Sequence, residues 1–154
     1  MAIQVGGKLK NKIGITCLFS LCFFCSFAYA DIDMSVIAQI ESSGDPLAYN
    51  SGSKATGLYG ITPICLKDYN QYHKIKYALK DMFNQGKCYD AASWYLKKRI
   101  PQMLKYYELE VTIDHILICY DFGIGHLVNG DKIPKETKDY LMKYKERIKE
   151  YDAL

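Results

Sequence analysis

The sequence predicts a mainly α-helical domain with one polar loop, or a short hairpin, after its first helix. Three observations support this fold class. Apolar residues recur at helical spacing in most segments after residue 31, alternating strand patterns are almost absent, and residues 44–57 are rich in Gly, Ser, Asn and Asp. The chain has 154 residues, of which 49% are hydrophobic. That size supports one compact domain, over residues 31–154, and leaves no room for a second core.

The first two helices have clear start signals. Asp33 is a favourable N-cap residue for a helix that runs to Glu41, where the Gly-rich loop follows. Thr62 is expected to cap a second helix, and Pro63 would occupy its first helical position. Proline is favoured there because the backbone N–H that it lacks would have no helical partner at that position.

The middle of the chain predicts two more helices. Apolar residues over 75–83 predict a helix that Gly86 ends. Asp90 is then expected to cap a fourth helix. That helix should end at about Ile100, because Pro101 follows and cannot donate a helical hydrogen bond.

Two helices complete the predicted domain. Thr112 is expected to cap an apolar helix that ends near Gly123, and the last helix is expected to begin around Pro134. The charged side of that last helix, with Lys138 and Lys149, reads as a solvated face.

The charge balance argues against nucleic acid as a partner. The chain carries 20 basic and 17 acidic residues, a formal net charge of +3. The first thirty residues hold three lysines and no acid, so the remainder has seventeen residues of each sign. A neutral body lacks the electrostatic surface that nucleic-acid binding requires.

The first thirty residues are predicted to be a signal peptide. A basic stretch over 8–12 precedes an apolar stretch over 13–27, and Ala28-Tyr29-Ala30 follows the small-x-small pattern of a cleavage site. A membrane anchor is the alternative, since the apolar run is just long enough to cross a bilayer. We expect cleavage near Ala30 and export to the periplasm or the extracellular space.

Three cysteines remain after that cleavage: Cys65, Cys88 and Cys119. Export permits a disulfide, but an odd number allows at most one internal bridge and does not identify the pair. The alternative is that all three are small buried residues. The three histidines are scattered and no Cys-x-x-Cys occurs, so we predict no metal site and no cofactor.

Glu41 is the candidate functional residue. It follows Ile37 by four positions and therefore shares the inward face of the first helix. The negative end of the helix dipole and partial burial both favour the neutral carboxyl, so its pKa should rise. A carboxyl that keeps its proton near neutral pH is what a general acid in glycosidic cleavage requires. The alternative is an ordinary surface glutamate in the last helical turn.

Four blocks in order resemble the soluble lytic transglycosylase family. The blocks are Ile40-Glu41-Ser42-Ser43-Gly44-Asp45-Pro46, Gly57-Leu58-Tyr59-Gly60-Ile61-Thr62-Pro63, Cys119-Tyr120-Asp121-Phe122-Gly123-Ile124-Gly125 and Glu136-Thr137-Lys138-Asp139-Tyr140. They are similar to the family's Glu-Ser pair at a helix end, its Gly-Leu-Met-Gln-Ile-x-Pro segment, its Ala-Tyr-Asn-Ala-Gly-x-Gly segment and its Glu-Thr-x-x-Tyr segment. The resemblance implies a lysozyme-like helical fold around a groove for peptidoglycan.

The resemblance also implies a set of site residues. Glu41 would be the sole catalytic acid and base, and the substrate-binding positions would be Ser42, Tyr59, Gly60, Tyr120, Asp121 and Tyr140. Core packing is the alternative role for the two tyrosines of the third and fourth blocks, and capping of the helix end is the alternative for Ser42. Gly60 and Asp121 depart from the family, which usually has Gln and Asn there. The charge of Asp121 could raise the pKa of Glu41 or activate water.

The implied activity is cleavage of the bond between N-acetylmuramic acid and N-acetylglucosamine with formation of a 1,6-anhydro ring. Between Glu41 and Gly57 the only other acid is Asp45, which precedes Pro46 in a turn, and this agrees with a single-carboxylate scheme. The alternatives are a muramidase of the same fold and a non-catalytic peptidoglycan-binding adaptor. Compact relatives open the wall for secretion, conjugation or pilus machines, so the resemblance implies such a complex as a partner besides peptidoglycan.

Overall fold

The computed structural model describes residues 31–153, and the predicted signal peptide lies outside them. The described chain is mainly helical, with almost no strand, as predicted. Its helices are α1 (Met34–Ser42), α2 (Pro63–His73), a 3-10 helix (Leu79–Phe83), α3 (Gln85–Trp94), a π-helical turn (Tyr95–Arg99), α4 (Ile100–Tyr106), α5 (Ile113–Asp121), α6 (Ile124–Val128) and α7 (Lys135–Asp152). None of the helices in this part of the chain is long and apolar enough to cross a membrane.

The start of α1 forms as its capping residue predicts. The Asp33 carboxylate accepts hydrogen bonds from the backbone N–H of Ser35 at 2.8 Å and of Val36 at 3.3 Å. The helix ends at Ser43, whose φ of 56° is left-handed, and the Gly44 N–H closes back onto the Ala38 carbonyl. Both ends of α1 are therefore determined by residues next to them in sequence.

The core lies where α1, α5 and α7 pack together with the α3–α4 segment. Ile37, Leu96, Leu104 and Leu117 are fully buried in it. Burying an aliphatic side chain of this size contributes about 1.5–3 kcal/mol. This packing brings the C-terminal ends of α1 and α5 to the same cleft, which is described below.

The helix predicted over 75–83 is wrong in its extent. Only Leu79–Phe83 is helical, and it forms a 3-10 turn. The Asn70 side chain holds Tyr77 in place, donating to its carbonyl at 2.8 Å and accepting from its N–H at 3.0 Å. Because this side chain takes both backbone groups of Tyr77, a regular helix cannot begin before that residue.

The predicted boundary at Gly86 is also wrong. Gly86 lies in the first turn of α3, and Asn84 rather than Asp90 caps that helix, accepting from the Lys87 N–H at 3.0 Å. Glycine is tolerated in a first turn, where the backbone N–H groups have no helical partners in any case.

Pro101 does not end the helical segment, which continues to Tyr106. A π-helical turn over Tyr95–Arg99 precedes it, and the Ile100 N–H bonds to the Tyr95 carbonyl five residues back. Such a widened turn lets the proline ring avoid the carbonyl of the preceding turn, which it would otherwise strike.

The polar loop after α1 has only minimal hairpin pairing. Tyr49 and Thr56 form one isolated antiparallel bridge, and Thr56 and Ile61 form another. α2, α5 and α7 begin close to the residues predicted for them, at Thr62, Thr112 and Pro134. The short helix α6 was not predicted.

The three cysteines within residues 31–153, Cys65, Cys88 and Cys119, are free and buried. Of the two alternatives from the sequence, this matches small buried residues rather than a disulfide.

Candidate active site

A cleft of about 710 Å³ opens where the end of α1, the 48–62 loop, the end of α5 and the start of α7 meet. Four of the predicted site residues line it together: Glu41, Gly60, Tyr120 and Asp121. They are up to 80 positions apart in sequence, and the packing of α1 against its neighbours brings them onto one surface.

Glu41 lies in the last turn of α1 and is partly buried. Burial raises the pKa of its carboxyl from 4.5 to about 7, because an apolar environment disfavours the charged form. The hydroxyl of Tyr140 lowers this pKa, and the negative charge of Asp121 raises it further. The group can therefore hold a proton near neutral pH and also release one.

The backbone of Gly60 forms one wall beside that carboxyl. Gly60 has a φ of +61°, and a Cβ atom at this position would lie 2.7 Å from Oε2 of Glu41. A side chain at this position would therefore force the Glu41 carboxyl to move. Only main chain borders the acid on that side.

Tyr120 ties the end of α5 to the 57–61 segment. Its hydroxyl donates to the backbone carbonyl of Tyr59 at 2.6 Å, and the side chain is buried enough to raise its pKa well above the ordinary value. The Tyr59 ring is itself buried and packs edge-on against Tyr89, with ring centroids 6.0 Å apart. Tyr59 thus contributes its carbonyl to the site, while its ring lies behind the cleft wall.

Asp121 is held by a second short hydrogen bond. The Thr137 hydroxyl donates to its Oδ2 at 2.6 Å, and Thr137 is 1% exposed. This bond joins the end of α5 to the first turn of α7. It keeps the Asp121 carboxylate oriented within the cleft, where its charge acts on Glu41.

Tyr140 and Ser42 support the site from behind. Tyr140 is buried, and its hydroxyl lies near enough to the Glu41 carboxyl to influence the pKa of Glu41. The Tyr140 hydroxyl has no hydrogen bond of good geometry to any residue of the described chain. The Ser42 hydroxyl lies within hydrogen-bond distance of two carbonyls, those of Ala38 at 3.1 Å and Leu58 at 2.9 Å. Ser42 therefore links the end of α1 to the loop that carries Gly60.

The cleft-lining residues that sequence reasoning missed include Tyr95 and Glu136. Glu136 is the first residue of the Glu-Thr-x-x-Tyr block, so that block contained a signal for it. Tyr95 lies in the π-helical turn and carried no signal, because only the packing of that turn brings it to the cleft. In residues 31–153 no three His, Cys, Asp or Glu side chains are grouped as metal ligands would be.

A mainly helical domain whose cleft contains a partly buried glutamate at a helix end has the architecture of the lysozyme-like proteins. The family model of the transglycosylase SLT domain matches residues 33–143, most of the chain. The protein belongs to that family, and its expected substrate is peptidoglycan. No curated protein and no solved structure matches the chain.

Proposed function

We propose that the protein is an exported lytic transglycosylase that uses Glu41 as its only acid and base. The observation that carries this proposal is the Glu41 carboxyl, which lines the cleft with a pKa raised to about 7. A general acid works best when its pKa lies near the working pH, because it is then protonated and still able to give up the proton.

The reaction has two proton transfers through one carboxyl group. Glu41 first donates its proton to the oxygen that links N-acetylmuramic acid to N-acetylglucosamine, and the bond from the muramoyl C1 to that oxygen breaks. The Glu41 carboxylate then takes the proton of the muramoyl C6 hydroxyl, and the freed oxygen bonds to C1. The 1,6-anhydro ring closes, no water is consumed, and Glu41 is protonated again.

The neighbours of Glu41 have positioning roles in this proposal. Tyr120 holds the loop that carries Gly60 against the acid through its 2.6 Å hydrogen bond. Tyr140 presents a hydroxyl to the carboxyl, and Ser42 joins the end of α1 to the same loop. Gly60 places main chain beside the acid, at a position where the family usually has a glutamine side chain.

Product analysis tests the proposal. The parent protein should release muropeptides from purified sacculi that are one water lighter than the products of hydrolysis. Glu41→Gln should reduce release by at least about 10²-fold, the usual contribution of a general acid. If the parent releases no more than this variant, the protein is the non-catalytic adaptor instead.

A muramidase is the second candidate, and a specific observation favours it. Asp121 and Glu136 line the same cleft as Glu41, so a second carboxylate is available to activate water. Digestion in water labelled with heavy oxygen separates the two reactions. Hydrolysis places the label at the new reducing end, whereas transglycosylation leaves every product unlabelled.

Export and local opening of the wall complete the proposal. They rest on the signal-peptide pattern of residues 1–30 and on the resemblance to compact relatives that serve secretion, conjugation or pilus machines. N-terminal sequencing of exported protein should identify Asp31 as the first residue. If deletion of the protein's gene prevents assembly of such a machine, the result would support that machine as the partner.

A further inference from the structure

A second groove of about 570 Å³ lies outside the cleft, between the end of α2, α3 and the π-helical turn. Its aromatic lining includes Trp94 and Tyr89, and its polar lining includes His73, Asp90 and Lys98. The volume falls within the range of small-molecule sites, about 300–1,000 Å³. The function proposed above does not use this groove.

Aromatic rings dominate one side of the groove. The Trp94 indole contacts Tyr69, Tyr72 and His73, with ring centroids between 5.1 and 5.6 Å from its own. Tyr72 stands at the edge of the groove, where it contacts the lining residues Trp94 and His73, and it is 51% exposed. Tyr89, which lines the groove, is 43% exposed. Large aromatic side chains left this open present ring faces that the protein itself does not cover.

The Trp94 indole N–H also lacks a partner. Trp94 is 9% exposed, and its Nε1 atom is buried with no hydrogen bond to any described residue. A buried donor without an acceptor is unfavourable by about 1–3 kcal/mol. A ligand in the groove that supplied an acceptor to this N–H would remove that penalty.

The groove also holds an unpaired positive charge. Lys97 forms an ion pair with Asp31 at 2.6 Å. Lys98 pairs with no carboxylate in residues 31–153, and its ammonium lies 5.9 Å from the Tyr72 ring centroid. A ligand that stacks on Tyr72 can therefore meet this ammonium with an anionic group.

We propose that this groove is a second binding site for peptidoglycan, taking an amino-sugar ring on Tyr72 and Trp94 and a peptide-stem carboxylate on Lys98. The inference rests on the proposed function, since that function names the polymer. A pyranose ring has apolar faces and hydroxyl edges, which suits aromatic rings beside Asp90, Ser93 and His73. The stem carboxylate complements the free ammonium.

The second groove and the cleft are close neighbours. The Trp94 ring contacts Tyr95 at 6.0 Å, and Tyr95 lines the cleft and contacts Tyr120 at 6.3 Å. Two adjacent residues, Trp94 and Tyr95, thus line the two surfaces. The second site would hold the protein on the wall while the cleft acts on a strand nearby, which raises the local substrate concentration.

The single tryptophan of the chain makes the groove directly observable. The full mature chain with Glu41→Gln, which prevents turnover, is titrated with a purified muramoyl disaccharide-peptide while Trp94 fluorescence and its indole N–H resonance are followed. We expect a saturable change in both signals. Tyr72→Ala and Lys98→Glu should each weaken binding by about five- to tenfold, which is the loss of one stacking or charge contact.

Matched variants elsewhere separate the groove from general effects. Tyr106→Ala removes another exposed tyrosine, and Lys138→Glu reverses another exposed lysine, so both should bind as the parent does. Tyr49→Ala, at the cleft, should leave the Trp94 response intact. An N-acetylglucosamine tetramer, which has no carboxylate, should bind more weakly than the disaccharide-peptide and be insensitive to Lys98→Glu.

Any of three results would overturn the inference: no change in the Trp94 signals, unchanged binding in Tyr72→Ala and Lys98→Glu, or loss of the response in Tyr49→Ala. Trp94 would also show no change if the natural occupant of the groove is a protein segment. If the parent cleaves sacculi but Trp94 stays silent, only this inference fails. If Trp94 responds but the parent releases no products, only the proposed activity fails.

Discussion

The main chain of Gly60 lies directly against the carboxyl group of Glu41, since a Cβ at position 60 would approach Oε2 to 2.7 Å. The two residues are nineteen positions apart, and the Ser42–Leu58 hydrogen bond at 2.9 Å holds their segments together. The family usually has a glutamine at position 60. With the backbone found here, that side chain would displace the acid, so glycine is the residue that fits.

Gly60→Ala should destabilise the fold by about 1–2 kcal/mol from the left-handed backbone, because the atom that a Cβ would meet is the movable end of the Glu41 side chain. Activity should fall, because the acid must move. Gly130 is the matched control: its φ is +71°, but a Cβ there meets nothing within 4 Å. Gly130→Ala should lose a similar amount of stability, with activity retained. Thermal unfolding and sacculus digestion measure both, and equal losses of activity at the two sites would contradict the clash.

Asp121→Asn should lower the pKa of Glu41, because the charge that raises it is removed. Activity requires the protonated acid, so the activity of this variant should begin to decline at a lower pH than that of the parent. Glu136→Gln removes the same charge from another cleft residue, one that does not contribute to the raised pKa of Glu41, so the pH profile of this variant should match the parent. If Asp121→Asn instead removes a hydrolytic product, Asp121 activates water.

Tyr140→Phe should shift the same profile in the opposite direction. The Tyr140 hydroxyl lowers the pKa of Glu41, so its removal leaves a higher pKa and extends activity to higher pH. The hydroxyl is buried without a hydrogen bond of good geometry, so stability should change little. A profile that moves downward, or a loss of several kcal/mol, would show that the hydroxyl has a different partner.

Tyr120→Phe should reduce both stability and activity. The variant leaves the Tyr59 carbonyl without its 2.6 Å donor, at a cost of about 1–3 kcal/mol, and frees the loop that carries Gly60. Tyr144→Phe is the control, since the Tyr144 hydroxyl accepts from the Asp33 N–H at 3.0 Å at the other end of α1. That variant should lose about 1 kcal/mol and keep its activity. Loss of activity in both variants would indicate a general effect of destabilisation.

Glu41→Gln should become the more stable protein as pH rises. The folded state raises the pKa of Glu41 from 4.5 to about 7, so it binds the proton more tightly than the unfolded chain does. That contribution is complete below pH 4.5 and is lost as pH rises through about 7. Above pH 7 the variant should exceed the parent by about 2 kcal/mol, after allowance for partial solvent access. Urea unfolding at pH 4.5 and pH 8 checks the difference, which should be small at the lower pH.

The sequence predicted those parts of the fold that depend on neighbouring residues. The N-caps at Asp33, Thr62 and Thr112 are side-chain bonds to N–H groups two or three positions away, and all three form. The spacing of Glu41 from Ile37 likewise predicted an inward-facing carboxyl, and that carboxyl is partly buried at the cleft. The predictions failed where a competing side-chain contact or an irregular helical turn intervened. Asn70 holds Tyr77 out of a helix, and a π-helical turn carries the chain past Pro101.

What the sequence determined alone was therefore the helical class and the starts of α1, α2, α5 and α7, because capping and helical periodicity act within a few residues. Glu41 as the acid stays a prediction. Only the tertiary structure decided what surrounds that acid. The Tyr59 ring turns toward Tyr89 and away from the cleft, Thr137 binds Asp121 across sixteen positions, and Gly60 abuts Glu41. These relationships depend on how α1, α5 and α7 pack, and close packing between distant segments cannot be read from local pattern.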